Sequence, residues 1–147
     1  MKIVDAEIYR FSIPLVKPLK IKSTTLTKRN GLLLKLTDDQ SNYSFGEISP
    51  LPGFHSETPD QAEQQIFSLL NDLKCEYRNK PDKDFNLLPI KLKTKPLFPS
   101  VQFGIEMAIW DLMSPTNQHH DKVKVNGLLS GSTDEMMASA KKLLNEG

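Results

Sequence analysis

The sequence predicts an α+β fold: a three-stranded antiparallel meander followed by a helical bundle, with one trailing β-α unit. Two observations carry this. Up to Glu47 the apolar residues come in short runs separated by turn-forming residues, whereas beyond Pro59 they recur at helical spacing. Between the two regimes stands Gly46-Glu47-Ile48-Ser49-Pro50-Leu51-Pro52-Gly53-Phe54, which ends a strand and delivers the chain to a helix start.

Taken in order, Ile3, Val4, Ile8, Tyr9 and Phe11 mark a first strand over Lys2 to Phe11, and Pro14 and Pro18 break it. Val16 to Thr27 reads as a mixed loop carrying Lys17, Lys20, Lys22 and Ser23. Such a loop either orders over an anionic ligand or stays solvated. Arg29-Asn30-Gly31 has turn chemistry, and Leu32 to Thr37 has the apolar run of a buried second strand. Asp38 to Asn42 is again turn-like, and Tyr43 to Glu47 returns as a third strand. Sequential strands with short connections pair antiparallel.

Pro50 and Pro52 each fix φ and push the preceding residue towards extended geometry, while Gly53 permits a tight turn. The loop is therefore stiff and carries Leu51 and Phe54 at its tip. Two readings stay open for these side chains: they cover a pocket or partner, or they fill the domain's own core.

Thr58 has the character of a helix N-cap, with Pro59 at the first helical position and Gln61 completing a capping box. Ala62, Ile66, Leu69, Leu70, Leu73 and Tyr77 then share one face, with Glu63, Gln64, Asn71, Asp72 and Lys74 outside. Arg78 to Lys95 reads as a long connection with at most a short helical turn. Pro99-Ser100 opens a second helix reaching about Met113, apolar around most of its circumference and expected to be buried on several sides. Its charges, Glu106 and Asp111, are either interface residues or a narrow solvated strip. Ser114 to Lys122 reads as a linker; its His119-His120-Asp121 cluster has no second ligand set at metal-binding spacing. Val123 to Leu128 is expected to form a short strand. Ser132 with Glu135 caps a last helix whose apolar residues are Met136, Met137, Ala140, Leu143 and Leu144.

With 147 residues, the chain suits one domain plus a piece of another. The expected division is 1–118 for the complete domain and 119–147 for a linker and a single β-α unit, the start of something larger. Lys+Arg of 19 against Asp+Glu of 18 gives no field that argues for nucleic acid or an anionic membrane as partner. A single Cys75 makes no internal disulfide, and no apolar run spans a bilayer, so a cytoplasmic location is expected.

The segment Gly46 to Phe54 with Glu57-Thr58, together with Pro99-Ser100-Val101-Gln102-Phe103-Gly104 and Ala108-Ile109-Trp110-Asp111-Leu112, resembles the N-terminal part of the o-succinylbenzoate synthase family. That family lies in the muconate-lactonising-like branch of the enolase superfamily. Ala6 to Pro14 and Arg29-x-Gly31-Leu32 resemble its first two strands. The resemblance covers nearly the whole chain; Ile-Ser-Pro-Leu-Pro-Gly-Phe is fairly specific to the family, and the Trp-Asp-Leu helix is shared across the superfamily.

The resemblance implies a capping domain over a (β/α)8 barrel, with two cap loops shaping the substrate pocket. These are Lys17–Thr25, with Ser23, matched by place in the chain, and Ser49–Phe54, where Leu51 and Phe54 match residue for residue as apolar wall. It implies syn elimination of water from 2-succinyl-6-hydroxy-2,4-cyclohexadiene-1-carboxylate, a small-molecule carboxylate, giving o-succinylbenzoate for menaquinone synthesis with Mg2+. The family's lysine base and metal carboxylates belong to later barrel strands, so no catalytic or metal residue is expected in this chain. The chain alone is expected to be inactive and to need the missing barrel domain. Lys122-Val123-Lys124 lies at the first barrel strand and is not assigned as the base. Also open are a sibling activity (dipeptide epimerase, N-acylamino acid racemase or muconate-type lyase) and a non-catalytic interaction module that self-associates through the exposed β-α unit.

Overall fold

A computed structural model describes residues 3–21, 24–79, 96–113, 127, 129 and 131–146, with the backbone alone over 73–79 and at 146. Three strands, β1 (Ile3–Ile21), β2 (Thr24–Asp38) and β3 (Tyr43–Ile48), form one antiparallel sheet in the order β1-β2-β3. The helices that follow are α1 (Pro59–Asn79), α2 (Pro99–Met113) and α3 (Thr133–Glu146). The meander-then-helices architecture is the one expected.

Register decides which face is buried. Ala6 pairs with Leu36, Ile8 with Leu34, and Leu32 with Ile48, so these side chains share a face. α1 lays Ala62, Ile66, Leu69 and Leu70 against that face, and α2 adds Val101, Ile105, Ala108, Ile109 and Leu112. Leu34, Leu36, Ile48, Ile66, Val101 and Ile105 lose all contact with water. α2 approaches the sheet closely because glycine meets glycine. A Cβ on Gly46 would stand 1.7 Å from the Gly104 carbonyl oxygen, and one on Gly104 would stand 2.4 Å from Ile48 Cγ1. The Ser44 hydroxyl uses the same proximity to donate to the Ala108 carbonyl at 2.6 Å.

The largest departure from expectation lies at the N-terminus. β1 does not stop at Phe11 but runs through Pro14 and Pro18 to Ile21, and residues 24–31 continue β2 instead of forming a loop and turn. β1 is an edge strand, so its prolines need supply no N–H on the open side, and an irregular register between Pro14 and Leu19 absorbs them. Residues 17–21 and 24–25 of the expected pocket loop therefore belong to a two-stranded ribbon beyond the reach of β3.

Helix starts follow their sequence signals. The Thr58 N–H donates to Gln61 Oε1 at 2.8 Å and the Gln61 N–H to Thr58 Oγ1 at 3.2 Å, the reciprocal capping box. Ser132 and Glu135 repeat it at α3, after Gly131 at φ 112°. α2 corrects the expectation of burial on several sides: Phe103, Met107, Trp110 and Met113 form an exposed stripe opposite the buried one. Glu106 and Asp111 are exposed, and Glu106 accepts from the Gln102 amide at 2.8 Å. Glu63 is half-buried instead of outside, paired with Arg10. The expected linker, the His119-His120-Asp121 cluster and the strand at 123–128 fall outside the described residues, apart from Gly127.

Candidate functional site: the turn after β3

β3 ends at Ile48, the last residue paired with β2. The next two carbonyls, of Ser49 and Pro50, are not carried by the ladder; they are taken by Arg29. Its Nη1 donates to the Pro50 carbonyl at 3.0 Å, and its Nη2 donates to that of Ser49. Pro50 itself is fully buried. Ser49 crosses β2 at Gly31, where a Cβ would lie 2.2 Å from the Ser49 hydroxyl and 2.5 Å from the Phe11 ring. The passage needs glycine. The hydroxyl is enclosed there, with no hydrogen-bond partner among the described residues.

Leu51 to Phe54 then close a tight turn. The Phe54 and His55 N–H groups both donate to the Leu51 carbonyl at 3.1 Å, and the Leu51 N–H donates to His55 Nδ1 at 3.0 Å. Proline at the second position and Gly53 at φ 83° at the third match the sequence demands of a type II turn. With its backbone bonded internally, the turn presents side chains instead of amides. Leu51 is half-buried, and Phe54 is 69% exposed. The core-filling reading therefore fails for Phe54. Ser23, the third expected pocket residue, falls outside the described residues.

The far end of the loop is held by Glu57, only 3% exposed. Its Oε1 accepts from the Ser100 hydroxyl at 2.6 Å and the Ser100 N–H at 3.0 Å, and its Oε2 from the Ser56 hydroxyl at 3.1 Å. Burial acts to raise the carboxyl's pKa, but the Ser100 and Ser56 donors more than reverse that and leave it below its ordinary value. The anion also sits at the N-terminus of α2, where the helix dipole favours it.

Neither Arg29 nor Glu57 was given a role from sequence. Arg29-Asn30-Gly31 has turn chemistry in the sequence, and the Arg29-x-Gly31-Leu32 pattern that resembles the family's second strand marks the position without giving its role. Glu57 gave a weaker signal, a carboxylate next to the Thr58 cap.

Beside the turn, between the β1–β2 ribbon and the start of α1, lies a cleft of about 350 Å³ with Pro50 in its wall. Arg10, Lys28, Asp60 and Glu63 are its charged groups. Arg10 pairs with Glu63 and lies 5.6 Å from the centroid of the Phe67 ring, and the Ser12 hydroxyl donates to Asn30 at 2.8 Å. Among the described residues no three His, Cys, Asp or Glu side chains converge as metal ligands. The turn thus offers an apolar, pre-shaped contact surface.

The family model described as "MenC, N-terminal domain" matches residues 3–112. The o-succinylbenzoate synthase of Pasteurella multocida is 32% identical over 130 residues, covering 88% of this chain and 35% of that protein. That of Haemophilus influenzae is 30% identical over 142 residues, covering 95% and 39%. The chain thus spans between a third and two-fifths of the length of these relatives. Among solved structures, o-succinylbenzoate synthase from Thermosynechococcus elongatus, complexed with magnesium in its active site, superposes with a TM-score of 0.67 at 25% identity, over 98% of this chain and 40% of that one. The L-Ala-D/L-Glu epimerase of Bacillus subtilis superposes at 0.74 with 22% identity, over 100% and 43%, and speaks for the fold alone. With residues 3–112 matched and the meander-and-helix fold shared, the chain belongs to the MenC N-terminal domain family.

Proposed function

We propose that this chain is the capping part of an o-succinylbenzoate synthase, a carbon–oxygen lyase, and that its turn after β3 forms part of the substrate pocket wall. One observation carries the reading. The Ile-Ser-Pro-Leu-Pro-Gly-Phe segment, inside the matched family region, holds Phe54 out into solvent on a turn whose backbone is bonded to itself. An exposed aromatic on a pre-shaped loop suits contact with a ligand ring, here the cyclohexadiene of 2-succinyl-6-hydroxy-2,4-cyclohexadiene-1-carboxylate. Loss of water from that compound leaves the aromatic o-succinylbenzoate, and the proposed role of Leu51 and Phe54 is to hold the ring and exclude bulk water. Ser23, matched to the family by its place in the chain, is proposed as a further pocket residue.

Magnesium, where bound, would stabilise the charge that develops on the substrate carboxylate when the adjacent proton leaves. The ion needs several oxygen ligands, and the described residues of this chain bring no such set together. The proposed division is a cap over 1–118 and the start of a barrel domain over 119–147, with the barrel supplying acid–base and metal chemistry. No described helix is long and apolar enough to cross a membrane, which is compatible with the cytoplasm as the proposed location.

The test follows o-succinylbenzoate formation by absorbance with magnesium, for this chain alone and for the longest polypeptide its gene encodes. Activity in the longer polypeptide only, with Leu51→Ala and Phe54→Ala each raising KM about tenfold, roughly 1.4 kcal/mol of lost binding, is the expected result. Turnover by the 147-residue chain alone would overturn the division of labour. Dipeptide epimerisation in place of dehydration would overturn the substrate.

A further inference from the structure

We infer that Arg29 is a positioning residue: its guanidinium, by bridging the Ser49 and Pro50 carbonyls, sets the direction in which the Leu51–Phe54 turn presents its side chains. The inference rests on the reading of that turn as pocket wall, and extends it to a residue on a different strand. Ile48 is the last rung between β2 and β3, and Pro50 has no N–H with which to prolong the ladder. At that point Arg29, three residues back along β2 from Leu32, substitutes a side chain for the missing rungs. One planar fork reaches two successive carbonyls, so both peptide planes entering the turn are oriented by a single rigid group.

Gly31 makes the bridge possible, because any side chain there would meet the Ser49 hydroxyl. Beyond the bridge, hydrogen bonds from the Phe54 and His55 N–H groups to the Leu51 carbonyl, and from the Leu51 N–H to His55 Nδ1, fix the shape of the turn. Glu57 holds the exit to α2, and Arg29 holds the entry to β2. The chemistry explains why arginine suits the position. Lysine would bring a point charge and could not impose two planes at once.

Arg29→Met and Arg29→Lys, made in the full polypeptide, test the inference by amide hydrogen exchange and by steady-state kinetics. In Arg29→Met the amides of Leu51, Phe54 and His55 are expected to exchange at least tenfold faster, while those of Leu34 and Leu36 in the β2 ladder keep their rates; Arg29→Lys falls between. KM is expected to rise about tenfold with kcat changed less than twofold, and Phe54→Ala added to Arg29→Met should raise KM little further, since both remove one contact. Turn amides that keep their rates, or ladder amides that accelerate equally, would overturn the positioning role. Faster turn exchange in Arg29→Met with no KM effect from Phe54→Ala would leave the clamp standing and sink the pocket-wall reading.

Discussion

Glu57 and Asp38 are two carboxylates buried at loop ends, each held by donors that favour its charged form. The Asn42 side-chain amide at 3.0 Å, with the Asn42 and Gln40 N–H groups at 2.8 and 2.9 Å, lowers the Asp38 pKa. Ser100 and Ser56 lower that of Glu57 against the opposing effect of burial. A carboxyl whose folded pKa lies below its unfolded value contributes stability that is fully present above the unfolded value. That contribution is lost as pH falls through the folded one. Stability of this domain should therefore hold near neutrality and decline below about pH 4. Glu57→Gln should melt earlier at pH 7 and show a shallower acid dependence, with the Asp38 contribution remaining. Thermal melts between neutrality and acid check this, and an unchanged acid slope in Glu57→Gln would remove Glu57 from the account.

The helices were legible because their determinants are local. Thr58, Pro59 and Gln61 lie within four residues, and their capping bonds form as the spacing demands. β1 was not legible, because a proline ends a strand only if its N–H is needed, and that depends on which neighbour the strand has. At an edge the need disappears, so Pro14 and Pro18 sit inside a long strand. The site divides the same way. The turn geometry could be read from Pro52 and Gly53, whereas the Arg29 bridge spans 20 and 21 residues and left only a weak mark. The Gly46–Gly104 contact is long-range too, and it sets the distance between α2 and the sheet. Gly104→Ala would force Ile48 and the Glu47 backbone aside and should cost about 3 kcal/mol. Denaturant unfolding measures the loss; a change within about 0.5 kcal/mol, typical of a surface substitution, would mean the helix retreats freely.

Across the whole molecule, α2 is two-sided. Ile105 is fully enclosed in the core, whereas Trp110, one and a half turns on, is 75% exposed. With Phe103, Met107 and Met113 it makes an apolar strip along the outer surface of the helix. Met137 and Leu144 of α3 are likewise exposed. We propose that this strip is a contact surface, since contiguous exposed apolar patches mark interaction sites. The two sides should thus respond oppositely to truncation. Ile105→Ala leaves a cavity in a closed core and should cost the chain about 3 kcal/mol. Trp110→Ala should change its stability by roughly 0.5 kcal/mol and, by shrinking the strip, weaken any concentration-dependent association seen in sedimentation. A large loss on Trp110→Ala, with monomer and dimer proportions untouched, would mean that the indole supports the fold of this chain, and the strip would lose its standing as a contact surface.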